Sequence, residues 1–371
     1  MPNPTSPSVT GPPNHAAQPV PRLLTLDAMR GVAAIMVVVF HLPDADAAPS
    51  GYLAVDFFFL LSGFVIARTY DRRIAEGLTF FSFAALRGIR LYPIYFVGFL
   101  LGLLRCIGQV VLDRPDKLTL GQLTLSVLLE VFLLPSPSGP HLFSLNGPSW
   151  SLFLEMTISL AYGSILVKLR QRVLWIIVAI SGVLLVWVAA SYGSLDVGFS
   201  WEGIHDGFVR VIFSFATGIL VARNHHANVR RSWLSVALAI TLTVLLSVSL
   251  EGPARVAYDL LFAAVLAPLL VWCGASYDPP PALRAQSRYL GDLSYPIYAL
   301  HYPLLWMFGF ASRKVGAPSS LWVPVVFVLI VLTAWGANRF WDKPIRAKLG
   351  AFLLRKEMVV ERHREANGSL K

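Results

Sequence analysis

Residues 26–41 read Leu-Asp-Ala-Met-Arg-Gly-Val-Ala-Ala-Ile-Met-Val-Val-Val-Phe-His, an aliphatic run that contains Arg30 and ends at His41. Eleven helical steps of about 100° each put these two side chains on one helix face, roughly 16 Å apart along the axis. That is about half of the hydrocarbon core of a bilayer. A charge and an imidazole are costly there, which predicts a functional site inside a membrane. The alternative is a snorkelling arginine and a helix-end histidine.

The bulk composition extends this interpretation to the whole chain. The protein has 371 residues, of which only 14% are charged, and its mean hydropathy is +0.62. Successive apolar runs of roughly 18 to 22 residues predict an all-α, polytopic membrane bundle. The net charge of +10 lies mainly in short loops, which favours contact with anionic lipid over nucleic acid.

The apolar runs predict about ten transmembrane helices. They lie at 24–42, 52–68, 91–112, 149–167, 173–191, 206–222, 233–250, 255–273, 293–311 and 321–338. If segment 119–135 does not span, the loops on one side hold 23 Lys and Arg and the outer loops hold 5. The positive-inside rule then predicts that both termini are cytoplasmic.

Three regions follow from this pattern. Residues 1–21 are polar and rich in proline, which predicts a disordered cytoplasmic tail. Residues 22–346 form the membrane domain, and residues 347–371 form a basic cytoplasmic C-terminal tail. Segment 119–135 is expected to be an interfacial or re-entrant helix on the outer side.

Further ionisable groups follow along the spans. Asp27 precedes Arg30 by three residues, so the two can pair on one helix face. Asp56 stands among phenylalanines and needs a partner, either His41 or Arg30, unless it lies at the interface. Arg210 must face the bundle interior or a wet cavity, where Asp56 is one of the carboxylates available to it.

The start of the third span carries two arginines on one helix face. Arg87 and Arg90 are three residues apart, and Pro93 fits the first turn of a helix. Such a face can bind a phosphate group, because guanidinium groups match phosphate oxygens. Ordinary positive-inside anchoring explains the same residues.

Two more blocks carry chemistry. Ser151 and Glu155 share a face of the fourth span, so Glu155 is expected to pair with an arginine or polarise a hydroxyl. Trp150 is an interfacial aromatic or a sugar-stacking residue. In the ninth span, Pro296 and Pro303 flank His301 and free backbone carbonyls, so His301 either caps such a carbonyl or takes part in catalysis. The histidines lack the spacing of a zinc site, and we expect no metal.

In their order along the chain, these blocks resemble acyltransferase family 3, whose members are integral membrane proteins. The matching blocks are Arg30 to His41, Phe58 to Phe64, Arg87 to Pro93, Trp150 to Glu155, Arg210 to Gly218, and Ser294-Tyr295-Pro296 to His301. Each block is weak alone, whereas six in the family's order are specific. The resemblance covers roughly residues 22–346.

The resemblance implies an O-acyltransferase of the bacterial inner membrane. The donor would be a cytosolic acyl-CoA, with acetyl-CoA expected, and no cofactor would stay bound. The acceptor would be a sugar hydroxyl of a glycan, a glycolipid or a secreted glycoside. Some members carry a fused extracytoplasmic domain, which we do not expect in this chain, so either a partner envelope enzyme or the chain itself would complete the transfer. The rival interpretation is a secondary transporter that exports a sugar-bearing or acylated compound.

Roles for the candidate residues follow from this resemblance and from their chemistry. His41 would be the general base or the acyl carrier, with Arg30 and Glu155 as further catalytic groups. Arg87 and Arg90 would hold the nucleotide end of the donor. Substrate or structural support would come from Asp56, Trp150, Ser151, Arg210, Tyr295 and His301.

Overall fold

A computed structural model describes residues 21–42, 47–226 and 229–353. The predicted disordered tail, apart from Pro21, lies outside the described residues. So does most of the predicted C-terminal tail, of which only residues 347–353 are described and helical.

Helices dominate the described part of the chain. They are α1 (Leu24–Phe40), α2 (Ala54–Ala75), α3 (Phe80–Val111), α4 (Leu120–Glu130), α5 (Ser149–Ser164), α6 (Gln171–Tyr192), α7 (Ile204–Asn224), α8 (Leu234–Leu246), α9 (Gly252–Leu261), α10 (Ala267–Ser276), α11 (Arg284–Lys314) and α12 (Ser319–Gly336). Two short parallel strands, β1 (Arg230–Arg231) and β2 (Tyr277–Asp278), pair with each other. A π-helical turn joins α9 to α10, and a second one (Ala337–Asp342) follows α12.

The fold is therefore all-α, as predicted, and its helices are suited to a membrane. Six helical segments are long and apolar enough to cross a bilayer: Gly51–Ala75, Phe80–Val111, Gln171–Tyr192, Ile204–Asn224, Gly252–Ser276 and Ser319–Leu353. The other four predicted spans fall on α1, α5, α8 and α11. The count of ten remains a prediction.

Segment 119–135 forms only a short helix. The 11 residues of α4 rise about 16 Å, which is too short to cross a bilayer. Thr119 and Gln122 cap its first turn reciprocally in a capping box. The helix length thus agrees with a segment that does not span.

The third predicted span starts earlier than expected. Helix α3 begins at Phe80, where the Thr79 hydroxyl caps the backbone N–H of Ser82. Pro93 therefore lies inside the helix, and its predicted place in a first turn is wrong. Membrane helices tolerate an internal proline because neighbours satisfy the freed backbone groups. Arg87 and Arg90 consequently project from the body of α3.

Two closely packed helix pairs build the interior. Helix α2 packs along α7, and α1 packs along α11. A Cβ on Gly63 would collide with the backbone oxygen of Phe215, and one on Gly218 would collide with that of Leu60. Only glycine at these two positions allows this approach of two backbones.

Candidate functional site

A large cavity of about 1560 Å³ lies between α1, α2, α3, α5, α11 and the helix after α12. Its mouth lies beside Arg72, whose side chain is 82% exposed. Its closed end is formed by buried residues, including Val55, Ser151 and Tyr298. Water can therefore enter from one end of the bundle only partway along the helices.

One face of α2 runs the whole length of this cavity. Lining residues recur every three or four positions from Phe58 through Ser62, Val65 and Arg72 to Glu76. This spacing marks a single helix face. Eighteen residues of helix rise about 27 Å, so the cavity is long enough for an extended ligand.

The cavity wall is strongly cationic, with nine basic side chains against five carboxylates. The basic residues are Arg22, Arg30, Arg68, Arg72, Arg73, Arg87, Arg90, Lys343 and Arg346; the acidic residues are Asp27, Glu76, Glu155, Asp292 and Asp342. Low-dielectric walls focus the field of such a cluster, so the cavity attracts anions.

Arg30 is fixed on the cavity wall. Its guanidinium donates to Asp27 Oδ1 at 3.1 Å, to Ser294 Oγ at 2.8 Å and to the Gly291 carbonyl at 2.8 Å. The predicted Asp27–Arg30 pair is confirmed. These bonds hold the charge about 16 Å along α1 from His41, so the two groups face different parts of a bound ligand.

Glu155 joins α5 to α2 and α3. Its Oε1 accepts from Arg87 Nη2 at 2.9 Å and from Ser62 Oγ at 2.8 Å. Of the two predicted uses of Glu155, the structure shows the pairing with an arginine. Ser151 lines the same cavity, as the shared helix face predicts, and its hydroxyl lies 2.6 Å from the Tyr298 hydroxyl.

Arg90 differs from Arg87, its neighbour one turn away. It lines the cavity, yet among the described residues it makes no hydrogen bond or ion pair. Tyr295 also lines the cavity, but its hydroxyl donates to the Leu91 carbonyl at 2.7 Å. Arg90 thus presents free donors close to Arg87, whose guanidinium is already engaged by Glu155.

Asp56 and Arg210 form a separate buried pair outside the cavity lining. Arg210 Nη2 lies 2.6 Å from Asp56 Oδ2, and both side chains are 1% exposed. Asp56 therefore does not orient His41 or Arg30: the carboxylate is neutralised by Arg210, which reaches it from α7. Trp150 is buried and lies 5.6 Å from the Arg210 guanidinium, as a cation–π partner.

His41 and His301 meet beyond the closed end of the cavity. Their ring centroids are 5.1 Å apart, and Tyr302 lies 5.5 Å from His41. Neither histidine lines the cavity. Tyr298 lies between the cavity and His301, because it lines the cavity and its ring centroid is 5.9 Å from that of His301. Phe58 packs on Tyr298 at 5.5 Å. We call Phe58 and Tyr298 the aromatic septum.

Backbone carbonyls set the tautomer of both histidines. His41 Nδ1 lies 2.8 Å from the Val37 carbonyl, and His301 Nδ1 lies 2.7 Å from the Tyr298 carbonyl. A carbonyl only accepts, so in the neutral rings each Nδ1 carries the proton and each Nε2 is basic. His301 Nε2 is buried and has no partner among the described residues.

The carbonyl freed by Pro303 has a different partner. Proline removes the N–H that would bond the Ala299 carbonyl, and Asn146 Nδ2 takes its place at 2.9 Å. His301 bonds the Tyr298 carbonyl, so the specific capping role considered for it belongs to Asn146. Segment 131–148 is thereby tied to the helix that carries His301.

Glu130, at the end of α4, forms hydrogen bonds to the same segment 131–148. Its carboxylate accepts from the backbone N–H groups of Ser144 at 2.8 Å and Leu145 at 3.2 Å. Burial raises the pKa of Glu130 to about 8, although these hydrogen bonds and the charge of Arg105 act in the opposite direction.

Several cavity residues were missed by the sequence analysis. The predicted second span ends at Arg68, but α2 continues to Ala75 and carries Arg68, Arg72 and Arg73 along the cavity. A signal was present, because Arg68 and Arg72 continue the helical spacing from Ser62. Lys343 and Arg346 reach the cavity from the far end of the chain, which no local pattern reveals.

Comparisons with known proteins agree with this picture. A family model described as an acyltransferase domain matches residues 23–339. The chain is 34% identical to protein 2 in the picA locus of Rhizobium radiobacter, over 47% of this chain and 98% of that protein. It is 29% identical to the exopolysaccharide production protein ExoZ of Rhizobium meliloti, over 74% of this chain and 84% of that protein. No solved structure matches.

Proposed function

The chain belongs to the acyltransferase family whose domain covers residues 23–339, and on this premise we propose that it transfers an acetyl group from cytosolic acetyl-CoA to a hydroxyl of an exopolysaccharide or its lipid-linked precursor. One observation carries the proposal. A long cationic cavity leads from one end of the bundle towards a pair of histidines, of which His301 is buried and His41 is half-buried. The printed name of the Rhizobium meliloti relative supports a polysaccharide acceptor.

The cavity suits the shape and charge of acyl-CoA. That molecule is long, carries several phosphate charges at one end and bears its thioester at the other. With the phosphates near the basic mouth, the thin pantetheine arm would follow α2 towards Ser151 and Tyr298. Arg90, which lacks a protein partner, would bind the diphosphate by charge-assisted hydrogen bonds.

His41 would act where the arm ends. Its Nε2 would take the proton of the acceptor hydroxyl while the oxygen attacks the thioester carbonyl carbon. The carbon–sulfur bond breaks, the ester carbon–oxygen bond forms, and the proton passes to the departing thiolate. In the acyl-carrier variant, Nε2 attacks the thioester carbonyl carbon and CoA leaves as the thiolate. The acceptor hydroxyl then takes the acetyl group from His41, and its proton passes to the thiolate.

Access to His41 requires the aromatic septum to move. Tyr298 and Phe58 close the cavity in this conformation, so a rotation of these rings would admit the acetyl group but not the nucleotide. Such rotamer changes are small compared with the helix movements of a transporter. The outer loops would then deliver the acceptor from the opposite side.

We further propose ten spans with both termini in the cytoplasm of a bacterial inner membrane. The 23 basic residues on the side of the cavity mouth, against 5 on the other side, support this orientation. It also puts the mouth in the compartment that supplies acetyl-CoA.

The test compares ester-linked acetyl groups on envelope and secreted glycans by mass spectrometry. In cells that carry His41→Ala, the glycans should be lighter by about 42 Da per modified site. The variant protein should still reach normal levels in the membrane. General acid–base groups contribute about 10²–10⁴-fold to rates, so the residual signal should be small. Full acetylation of the glycans in cells that carry this variant would contradict the proposed function.

An assay of acetyl-CoA consumption by the purified protein distinguishes the proposed enzyme from the rival transporter. The enzyme should release free CoA from acetyl-CoA when acceptor is present, and the His41→Ala variant should not. A transporter would leave acetyl-CoA intact, and its deletion would make a solute accumulate inside the cell with unchanged glycan esters.

A further inference from the structure

We propose that Arg68 binds the 3′-phosphate of the CoA donor at the cavity mouth and so selects CoA over nucleotides that lack this phosphate. The inference rests on the proposed function and deepens it. It assigns a second anion subsite, distinct from the predicted pair of Arg87 and Arg90.

The state of the cavity arginines points to this subsite. Arg30 and Arg87 are already engaged by Asp27 and Glu155 respectively. Arg68 and Arg90 line the cavity without a hydrogen bond or ion pair to the described residues. Arg68 is half-buried, so its donors are withdrawn from bulk water and remain available to a ligand.

No carboxylate among the described residues pairs with Arg68, so its positive charge acts on its neighbours. The nearby ring of His225 has its pKa lowered, first by burial and then by the charge of Arg68. Thr69 lines the cavity beside Arg68, and its hydroxyl has no partner among the described residues. A guanidinium and a free hydroxyl together are groups that bind a phosphate monoester.

The position of Arg68 along α2 matches one end of the donor. Ser62 bonds Glu155, which in turn bonds Arg87, so Ser62 marks the level of the deeper cluster. Arg68 lies six residues further, about 9 Å towards the mouth. Arg72 lies one turn beyond Arg68 on the same face.

The chemistry of the donor then assigns the two subsites. The thioester must point to the closed end, so the nucleotide stays at the mouth. Its diphosphate is nearer the pantetheine arm and is therefore assigned to Arg90. Its 3′-phosphate is on the ribose, carries about −1.5 to −2 charges, and falls to Arg68.

The experiment measures binding of CoA and 3′-dephospho-CoA to the full-length protein by calorimetry, in nanodiscs of phosphatidylcholine. These nanodiscs contain no anionic lipid that could compete for Arg68. Wild type should bind CoA about ten- to a hundredfold more tightly than dephospho-CoA, as expected for hydrogen bonds to a charged group. Arg68→Ala should bind both nucleotides with the affinity that wild type has for dephospho-CoA.

Three controls make the outcome decisive. Arg172→Ala removes an exposed arginine outside the cavity and should bind like wild type. Arg68→Gln keeps the bulk of the side chain and should also lose the discrimination, and thermal unfolding checks that both Arg68 variants fold. Arg68→Lys keeps a charge without the fork of donors and should discriminate partly.

The failures are distinguishable. If either folded Arg68→Ala or Arg68→Gln still prefers CoA, or if wild type does not prefer it, the subsite is wrong while the acyltransferase proposal stands. If wild type binds neither nucleotide and does not consume acetyl-CoA, the proposed function itself fails, and the subsite with it.

Discussion

Two regions of this protein hold arginine among apolar helices, and they treat the charge in opposite ways. At the Asp56–Arg210 pair, Arg210 also donates to the Val197 carbonyl at 2.5 Å, and no part of it reaches the cavity. In the cavity, Arg68 and Arg90 face open space and have no described partner. The first arrangement completes its own hydrogen bonding, whereas the second needs a ligand.

An arginine in a membrane helix therefore does not by itself indicate a structural role or a ligand-binding role. What distinguishes the two regions is whether the partner is part of the chain. An arginine with a buried carboxylate ties helices together, and its removal should unfold the protein. Removal of an arginine that lines the cavity should weaken ligand binding and leave the stability of the fold unchanged.

The largest effect is expected from Arg210→Ala. It leaves Asp56 buried without a counter-charge, which costs about 3–5 kcal/mol. Thermal unfolding in detergent should show a strongly destabilised protein with low membrane yield. Replacing both partners, as Asp56→Leu with Arg210→Met, should recover much of this stability, because no unpaired charge remains. An Arg210→Ala protein as stable as wild type would contradict the structural role.

Arg90→Ala should give the reverse result. Acetyl-CoA affinity should fall about ten- to a hundredfold, since charge-assisted hydrogen bonds are worth about 1.5–3 kcal/mol. The unfolding temperature should stay at the wild-type value, because no protein partner is lost. Calorimetric titration measures the affinity, with Arg288→Ala as the exposed control. A stability loss with unchanged affinity would place Arg90 with Arg210.

The smallest effect concerns pH and Glu130. Its pKa is raised to about 8 by burial, so the folded protein holds a proton that the unfolded chain releases. Stability should therefore fall as pH rises from near the ordinary glutamate pKa through 8. Wild type should unfold about 2–4 °C lower at pH 7 than at pH 6, as for a change of about 1 kcal/mol over one pH unit.

Glu130→Gln provides the matched control for this prediction. It keeps an acceptor for the N–H groups of Ser144 and Leu145 but cannot ionise. Its unfolding temperature should be nearly independent of pH over the same range. A pH slope equal to that of wild type would assign the effect to another group.

Local spacing predicted the contacts that lie within one helix. Asp27 and Arg30 pair across one turn, and Ser151 and Glu155 share a face, because three- and four-residue separations are fixed by helix geometry. The family resemblance likewise followed from short motifs in a fixed order, and the family model confirms it.

Pairing between distant helices was beyond this reasoning. Asp56 and Arg210 are 154 residues apart, and three carboxylates were equally available to Arg210 in the sequence. The closeness of His41 to His301 depends on how α1 packs along α11. Arg68 was missed because it stands at the last position of the predicted second span, whereas α2 itself continues to Ala75.

The aromatic septum also has an electrical consequence. Water in the cavity carries the potential of one side of the membrane deep into the bundle, so the voltage drops mainly across the thin layer from Phe58 and Tyr298 to the outer loops. His41 lies in this layer of concentrated field. Moving one charge through a potential of 100 mV is worth about 2.3 kcal/mol. In the proposed reaction, a proton taken up by His41 would therefore sense the membrane potential, and acetylation in proteoliposomes should change rate when a potential is imposed.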